Sequence, residues 1–147
     1  MKYFWLTLLT IPLIAKDINK HNISFGMFDD KSGLSFIGYT FDIKQTEMDQ
    51  FFIGAGTMIV GFTGSAGWKR YYKKSKLSFY SVLSGQGFIH FGGYGFMPTA
   101  VLGAEYILTK STQVKFGLLG GIHLGGTSGE SGDNIGGFPF LGLSRRF

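Results

Sequence analysis

Apolar residues recur at every second position along most of this chain. The clearest run contains Val114, Phe116, Leu118, Ile122 and Leu124, and the opposite phase holds Gln113, Lys115, Gly117, Gly121 and His123. Residues two apart share a face only in a β-strand. The same alternation occupies 22–28, 36–43, 51–56 and 99–108, and it is less regular in 64–73 and 77–91. The pattern therefore predicts an all-β chain.

Short segments rich in polar residues or glycine separate these runs. They lie at 29–33, 44–49, 62–64, 73–76, 92–95, 109–112 and 125–133. Seven breaks delimit eight strands, and strands of about ten residues fit the chain with short connections between them. The rhythm predicts an up-and-down antiparallel β-barrel of about eight strands. The last and longest connection, 125–134, is expected to be an extracellular loop.

The composition indicates apolar surroundings for such a barrel. Charged residues make up 16% of the chain and aromatic residues 17%, whereas soluble domains carry about 25% charged residues. The 147 residues suffice for one domain, and the absence of cysteine excludes a disulfide framework and cysteine metal sites. We therefore expect a transmembrane barrel.

Two uncharged segments leave a helical alternative open. Residues 51–67 and 81–104 contain no Asp, Glu, Lys or Arg, and the second is long enough to cross a membrane as a helix. Each glycine costs a helix about 1 kcal/mol relative to alanine, and these segments hold many glycines and Pro98. Strands are favoured, since glycine on the inner face of a narrow barrel makes room for large neighbours. A glycine-rich helical membrane protein is the alternative.

The first fifteen residues have the layout of a secretory signal peptide. Lys2 precedes an apolar stretch over 3–14, and Ala15 precedes a polar segment. We expect cleavage after Ala15, which leaves 16–147 as a single β-barrel domain. An uncleaved N-terminal anchor is the alternative.

The C-terminal segment carries a resemblance to a known class. Residues 137–147 read Gly-Phe-Pro-Phe-Leu-Gly-Leu-Ser-Arg-Arg-Phe. This resembles the terminal strand of bacterial outer-membrane β-barrels, with Leu141, Leu143 and Phe147 on one face. Arg145 departs from the pattern, which usually has an apolar or aromatic residue there. The resemblance implies the small eight-stranded outer-membrane class, location in the Gram-negative outer membrane, and recognition of these three residues by the assembly machinery.

A barrel of that class has an apolar outer face and a polar interior. The strand phasing directs five polar residues inward: Glu105, Lys115, His123, Ser144 and Arg146. We expect Glu105 to pair with Lys115 or Arg146, because an unpaired buried charge is costly. Such a network predicts a closed, salt-bridged interior, and a polar path or small site is the alternative.

A basic and aromatic cluster predicts contact with lipid headgroups. It consists of Trp68, Lys69, Arg70, Tyr71, Tyr72, Lys73 and Lys74. In a cytosolic protein it would suggest nucleic acid. After a signal peptide it indicates an interfacial belt, in which aromatic rings lie at headgroup depth and the cations contact phosphates. A solvated turn is the alternative.

Nothing in the sequence forms a recognisable catalytic motif. The candidates for a lipid A deacylase or acyltransferase are His90, His123, Ser128, Ser144 and Glu105, and neither of the two histidines has the His-x-Ser spacing of the deacylase family. No metal spacing or nucleotide loop is present, so we expect no metal and no cofactor. We predict a monomeric structural or envelope-interaction protein. Its expected partners are outer-membrane lipids, lipopolysaccharide and the assembly machinery, without nucleic acid. A narrow pore or a lipid A-modifying enzyme is the alternative.

Overall fold

Eight antiparallel strands close into a barrel in the computed structural model, which describes residues 20–124 and 135–147. The strands are β1 (His21–Met27), β2 (Ile37–Gln45), β3 (Asp49–Met58), β4 (Gly61–Lys73), β5 (Leu77–His90), β6 (Gly93–Ile107), β7 (Thr112–Ile122) and β8 (Ile135–Arg146). The predicted signal peptide and the predicted extracellular loop at 125–134, with Ser128, lie outside the described residues.

Each strand pairs with its neighbours in sequence, and β1 pairs with β8 to close the sheet. The closing register aligns Ser24 with Ser144 and Phe25 with Leu143. Closure gives every strand a hydrogen-bonded neighbour on both sides, so the sheet has no open edge strand. The prediction of an all-β, up-and-down antiparallel barrel is confirmed. The helical alternative is wrong, because both uncharged segments form strands and turns of the sheet.

The described residues contain no helix long and apolar enough to cross a membrane.

One predicted turn is displaced. The sequence predicts a break at Phe62, Thr63 and Gly64, but these residues lie within β4 and the turn is Ile59–Val60. The pairs Met58–Gly61 and Thr57–Phe62 close a two-residue hairpin. A Cβ at Gly61 would lie 2.5 Å from the carbonyl oxygen of Ile89. Gly61 is therefore required by close packing of the wall, whereas a Cβ at Gly64 would meet nothing within 4 Å. A glycine inside a strand has the same appearance in a sequence as a turn glycine.

Because side chains alternate along each strand, they point either into the barrel lumen or away from its outer face. Twenty of the described residues with polar or charged side chains are buried, against nine apolar ones, and 29 large apolar side chains are exposed. The inner apolar group is Phe52, Tyr71, Tyr80, Val82, Val101, Leu119 and Phe140. Polar residues therefore fill most of the lumen, while apolar residues cover the outer face.

Inward-facing glycines accommodate the large rings of the interior. A Cβ at Gly103 would lie 2.9 Å from the Tyr80 ring, and one at Gly67 would lie 2.9 Å from the Phe52 ring. A Cβ at Gly117 would overlap the Leu102 carbonyl oxygen and lie 2.8 Å from Phe140. The wall and the rings thus fit together only where these positions lack a side chain.

We expect Gly117→Ala to lower the free energy of unfolding by about 1–3 kcal/mol, the usual cost of overpacking. Gly137→Ala, on the neighbouring strand, is the matched control, because a Cβ there meets nothing within 4 Å. The measurement is the urea midpoint of the refolded protein. Equal midpoints for the two variants would contradict this account of the wall.

Candidate functional site

The connection between β1 and β2 folds into the barrel lumen. We call residues 28–36 the plug loop. Asp29, Asp30, Lys31, Ser32 and Ser35 in this loop are all buried, with exposed fractions of 0–4%. The sequence predicted a turn here, but it did not predict that this turn fills the interior. The loop enters from the end of the barrel opposite the chain termini, since β1 runs from the terminal end towards it.

The plug loop has its own hydrogen-bonded structure. Asp29 and Gly33 exchange two backbone hydrogen bonds of 2.9 Å. The Asp29 carboxylate also accepts hydrogen bonds from the Ser32 amide and hydroxyl, both at 2.9 Å, and from the Lys31 amide at 3.2 Å. Gly33 has a positive φ of 74°, a conformation that glycine adopts without strain. These bonds make the loop a small, preformed unit.

Two glycines of the wall make room for the loop. A Cβ at Gly38 of β2 would overlap the Ser32 hydroxyl, and one at Gly56 of β3 would lie 2.5 Å from the Ser35 Cβ. Thr63 of β4 donates a hydrogen bond of 3.2 Å to the Ser32 carbonyl oxygen. Small side chains on the loop thus pack against bare backbone on the wall.

The Asp30 carboxylate joins the loop to two strands. Its Oδ2 lies 2.9 Å from Lys69 Nζ on β4, and its Oδ1 lies 2.7 Å from Lys115 Nζ on β7. Both lysines are buried. Burial alone would raise the pKa of Asp30, but the ammonium groups of Lys115 and Lys69 outweigh it and hold that pKa well below its usual range. The loop carboxylate is therefore ionised at neutral pH.

Further ion pairs extend from this centre. Glu105 Oε2 accepts hydrogen bonds from Lys69 Nζ at 2.8 Å and from the Tyr71 hydroxyl at 3.0 Å. Arg146 donates to the Tyr71 oxygen at 3.0 Å and lies 3.9 Å from Glu105 Oε1. Lys115 Nζ also lies 3.5 Å from Asp29 Oδ1.

The network is electrically balanced. It contains the carboxylates of Asp29, Asp30, Asp42 and Glu105 and the cations of Lys31, Lys69, Lys115 and Arg146. Lys31 of the loop pairs with Asp42 of β2. Four charges of each sign cancel, as burial in a low-dielectric interior requires. The loop contributes a net −1 and the wall a net +1.

The structure brings together most, but not all, of the predicted interior residues. Glu105, Lys115, Ser144 and Arg146 lie in the lumen, and Glu105 pairs with Arg146. Lys115 is in register with Glu105 but binds the plug loop instead. His123 follows β7 at the end of the barrel opposite the chain termini, where its ring centroid lies 5.4 Å from that of Phe88. His123 takes no part in the described ion network.

The predicted headgroup belt is divided by the strand period. Lys69 and Tyr71 point inward and are buried, so they do not belong to an outer belt. Trp68 is half-buried, while Arg70, Tyr72, Lys73 and Lys74 are exposed. The interpretation of the cluster as one surface is wrong because residues two apart on β4 share a face and adjacent residues do not. Applying the alternation through this run would have assigned Lys69 to the interior.

The charged residues outside the lumen all lie at one end of the described barrel. Ten occupy the end that holds the chain termini: Lys20, Lys44, Glu47, Asp49, Arg70, Lys73, Lys74, Lys76, Lys110 and Arg145. Eight cations against two carboxylates give this basic end a net charge of +6. Aromatic side chains accompany the cations, with Arg70 5.9 Å from the Trp68 ring and Lys76 5.3 Å from the Tyr106 ring. At the other end, the described hairpin tips contain no Asp, Glu, Lys or Arg, and their Ile59 and Phe91 are 88% and 96% exposed.

Two of the three predicted assembly residues lie on the outer face of β8, and Phe147 directly follows that strand. Leu141 and Leu143 are 60% and 44% exposed, and the Phe147 ring stacks with that of His21 at a centroid distance of 6.1 Å. Their recognition by an assembly machinery stays a prediction.

The candidate catalytic residues are spread over both ends of the barrel. His90 lies at the tip of the β5–β6 hairpin, where its Nδ1 accepts a hydrogen bond of 3.0 Å from the Gly92 amide. Glu105 and Ser144 lie towards the basic end. The described residues include no cluster of histidines and carboxylates that could hold a metal ion.

Comparisons with known proteins yield no relative. No protein-family model, curated protein or solved structure matches this chain. Function is therefore inferred from the geometry of the lumen and from the distribution of charge on the barrel.

We expect Lys115→Met to lower the free energy of unfolding by about 3–5 kcal/mol, because it leaves Asp29 and Asp30 with an uncompensated buried charge. The double variant Asp30→Asn/Lys115→Met should lose less than the sum of the two single variants, since it removes both partners of one ion pair. Denaturant unfolding measures both effects. Lys110→Met, at an exposed position of the basic end, is the control with a change within about 0.5 kcal/mol. Strict additivity of the single variants would contradict the network.

Proposed function

We propose that this chain is an integral β-barrel of the Gram-negative outer membrane with a structural or envelope-interaction role and a lumen closed by the plug loop. The observation that carries the proposal is the inverted distribution of side chains. Eight charged residues lie inside the barrel, and 29 large apolar side chains lie exposed. Soluble monomers rarely expose apolar area on this scale, whereas a barrel in lipid requires it.

The basic end supports an orientation in the membrane. Its cations and the rings of Trp68, Tyr72 and Tyr106 have the composition of a membrane interface, where aromatic rings lie at headgroup depth. In the proposed placement both termini face the periplasm, and the cations contact inner-leaflet phosphates. The charge-free hairpin tips then face the outer leaflet and its lipopolysaccharide.

The filled lumen favours a structural role over that of a permanently open pore. The plug loop and the inner rings occupy the interior at the level of Lys69 and Lys115. In the proposed assembly route, the machinery of the outer membrane recognises Leu141, Leu143 and Phe147, and the folded protein is a monomer.

Fractionation of cells expressing the full chain tests the placement. We expect the protein in the outer-membrane fraction, resistant to alkaline extraction. Unheated samples should migrate as a compact species in SDS and shift on boiling, because a closed barrel resists the detergent until it is heated. Recovery in the soluble fraction, or in the inner membrane, would contradict the proposal.

A matched pair of substitutions tests the lipid contact directly. Leu102 is 66% exposed near the middle of β6, and Leu108 is 52% exposed at the basic end. We expect Leu102→Arg to cost about 2–4 kcal/mol of stability in lipid vesicles and Leu108→Arg about 0–1 kcal/mol, as the cost depends on depth in the bilayer. Denaturant titration in vesicles measures both. Equal small costs would indicate that the outer face contacts water.

A further inference from the structure

We propose that the lumen contains an anion-binding site, formed by Lys69 and Lys115, which the plug loop fills with its own Asp30 carboxylate. When the loop withdraws, a small carboxylate or inorganic oxyanion takes the place of that side chain. The proposal rests on the proposed function and deepens it. The lumen is selective for anions, and in the closed barrel the Asp30 carboxylate occupies its anion-binding site.

The geometry of Asp30 is that of a bound anion. Each oxygen of one carboxylate faces a different ammonium group, at 2.9 Å from Lys69 and 2.7 Å from Lys115. The two lysines come from β4 and β7, three strands apart in a ring of eight. Charge-assisted bonds of this length are the strong ones. A free anion with two oxygens in the same arrangement can replace the side chain.

Lys69 stays in position without the loop. Glu105 on β6 accepts a hydrogen bond from its Nζ at 2.8 Å, and the Tyr80 ring on β5 lies beneath the Nζ, with 3.4 Å to the ring centroid. These contacts are made by the wall. One half of the site is therefore preorganised, which lowers the cost of binding a ligand there.

Lys115 depends on the loop for its charge compensation. Its described carboxylate partners, Asp29 and Asp30, both belong to the plug loop. Without the loop, the wall retains Lys69, Lys115 and Arg146 against Asp42 and Glu105, a net +1. A buried ammonium group without a partner is costly, so withdrawal of the loop favours the binding of an anion at Lys115.

The loop is attached to the wall mainly by side chains. The described backbone–backbone hydrogen bonds of residues 28–35 are internal to the loop, and those of Phe36 at its base join it to Gly26 and Thr57. Ion pairs of Asp29, Asp30 and Lys31, with the Thr63 hydrogen bond, make the remaining polar contacts. The loop is thus able to leave as a unit without breaking the sheet.

Chemical rescue of Asp30→Ala tests the site. Truncation removes the carboxylate and leaves space between the two lysines, so we expect a lower urea midpoint in detergent micelles. Sodium formate or acetate should restore at least half of the lost midpoint with saturation in the millimolar range. Formamide, a neutral molecule of similar shape, should restore nothing.

Two variants separate binding from general salt effects. Asp30→Ala/Lys115→Met removes one half of the site and should lose the rescue by formate. Asp49→Ala, which removes a partly exposed carboxylate at the basic end, should show none. Rescue that is linear in concentration, or equal in the double variant, would overturn the proposal.

Single-channel recording provides a second readout, and its measurement of selectivity on the wild-type protein does not require a variant to fold. In a potassium chloride gradient we expect rare openings whose reversal potential indicates anion selectivity, and Asp30→Asn should increase their frequency at least tenfold. Openings selective for cations would overturn the anion site. Outer-membrane fractionation with failed formate rescue and no anion-selective openings would reject the site while leaving the proposed function intact. Formate rescue without membrane association would reject the proposed function alone.

Discussion

The bond between one loop carboxylate and two wall lysines is the interaction on which the interior depends. Asp30 bridges Lys69 and Lys115, and without it two ammonium groups from different strands would face each other across a narrow lumen. Placing the carboxylate there requires the turn between Asp29 and Gly33, and that turn requires the bare backbone of Gly38 and Gly56 beside it. The buried carboxylate of Asp30 thus constrains the conformation of the plug loop and requires glycine at one position in each of β2 and β3.

The same electrostatic constraint organises the outside of the barrel. All eighteen charged residues that the structure describes are either in the lumen, where eight of them cancel, or at the basic end, which holds the other ten. The wall between these regions is apolar. Charge is therefore excluded from the outer wall, which is the arrangement expected of a barrel surrounded by hydrocarbon.

The sequence predicted more of the fold than of the site. Periodicity identified eight strands and assigned Glu105, Lys115 and Arg146 to the interior, because side-chain direction in a strand is a local property. The sequence indicated a turn at 62–64, since Gly64, which lies within β4 with open space where a Cβ would be, has the same appearance in a sequence as a turn glycine. The basic and aromatic composition of 68–74 indicated a surface position for Lys69 and Tyr71, whereas the alternation of the strand directs both inward.

The sequence by itself determined that the chain forms strands, how many there are, and which residues of each strand share a face. Only the tertiary structure decided that the plug loop lies inside and which charges meet. Asp30 is separated by 39 residues from Lys69 and by 85 from Lys115, and loops have no period from which their burial can be predicted. The pairing follows from barrel closure, because closure brings Lys69 of β4 and Lys115 of β7 into the same part of the lumen. The plug loop supplies the negative charge that compensates these two lysines there.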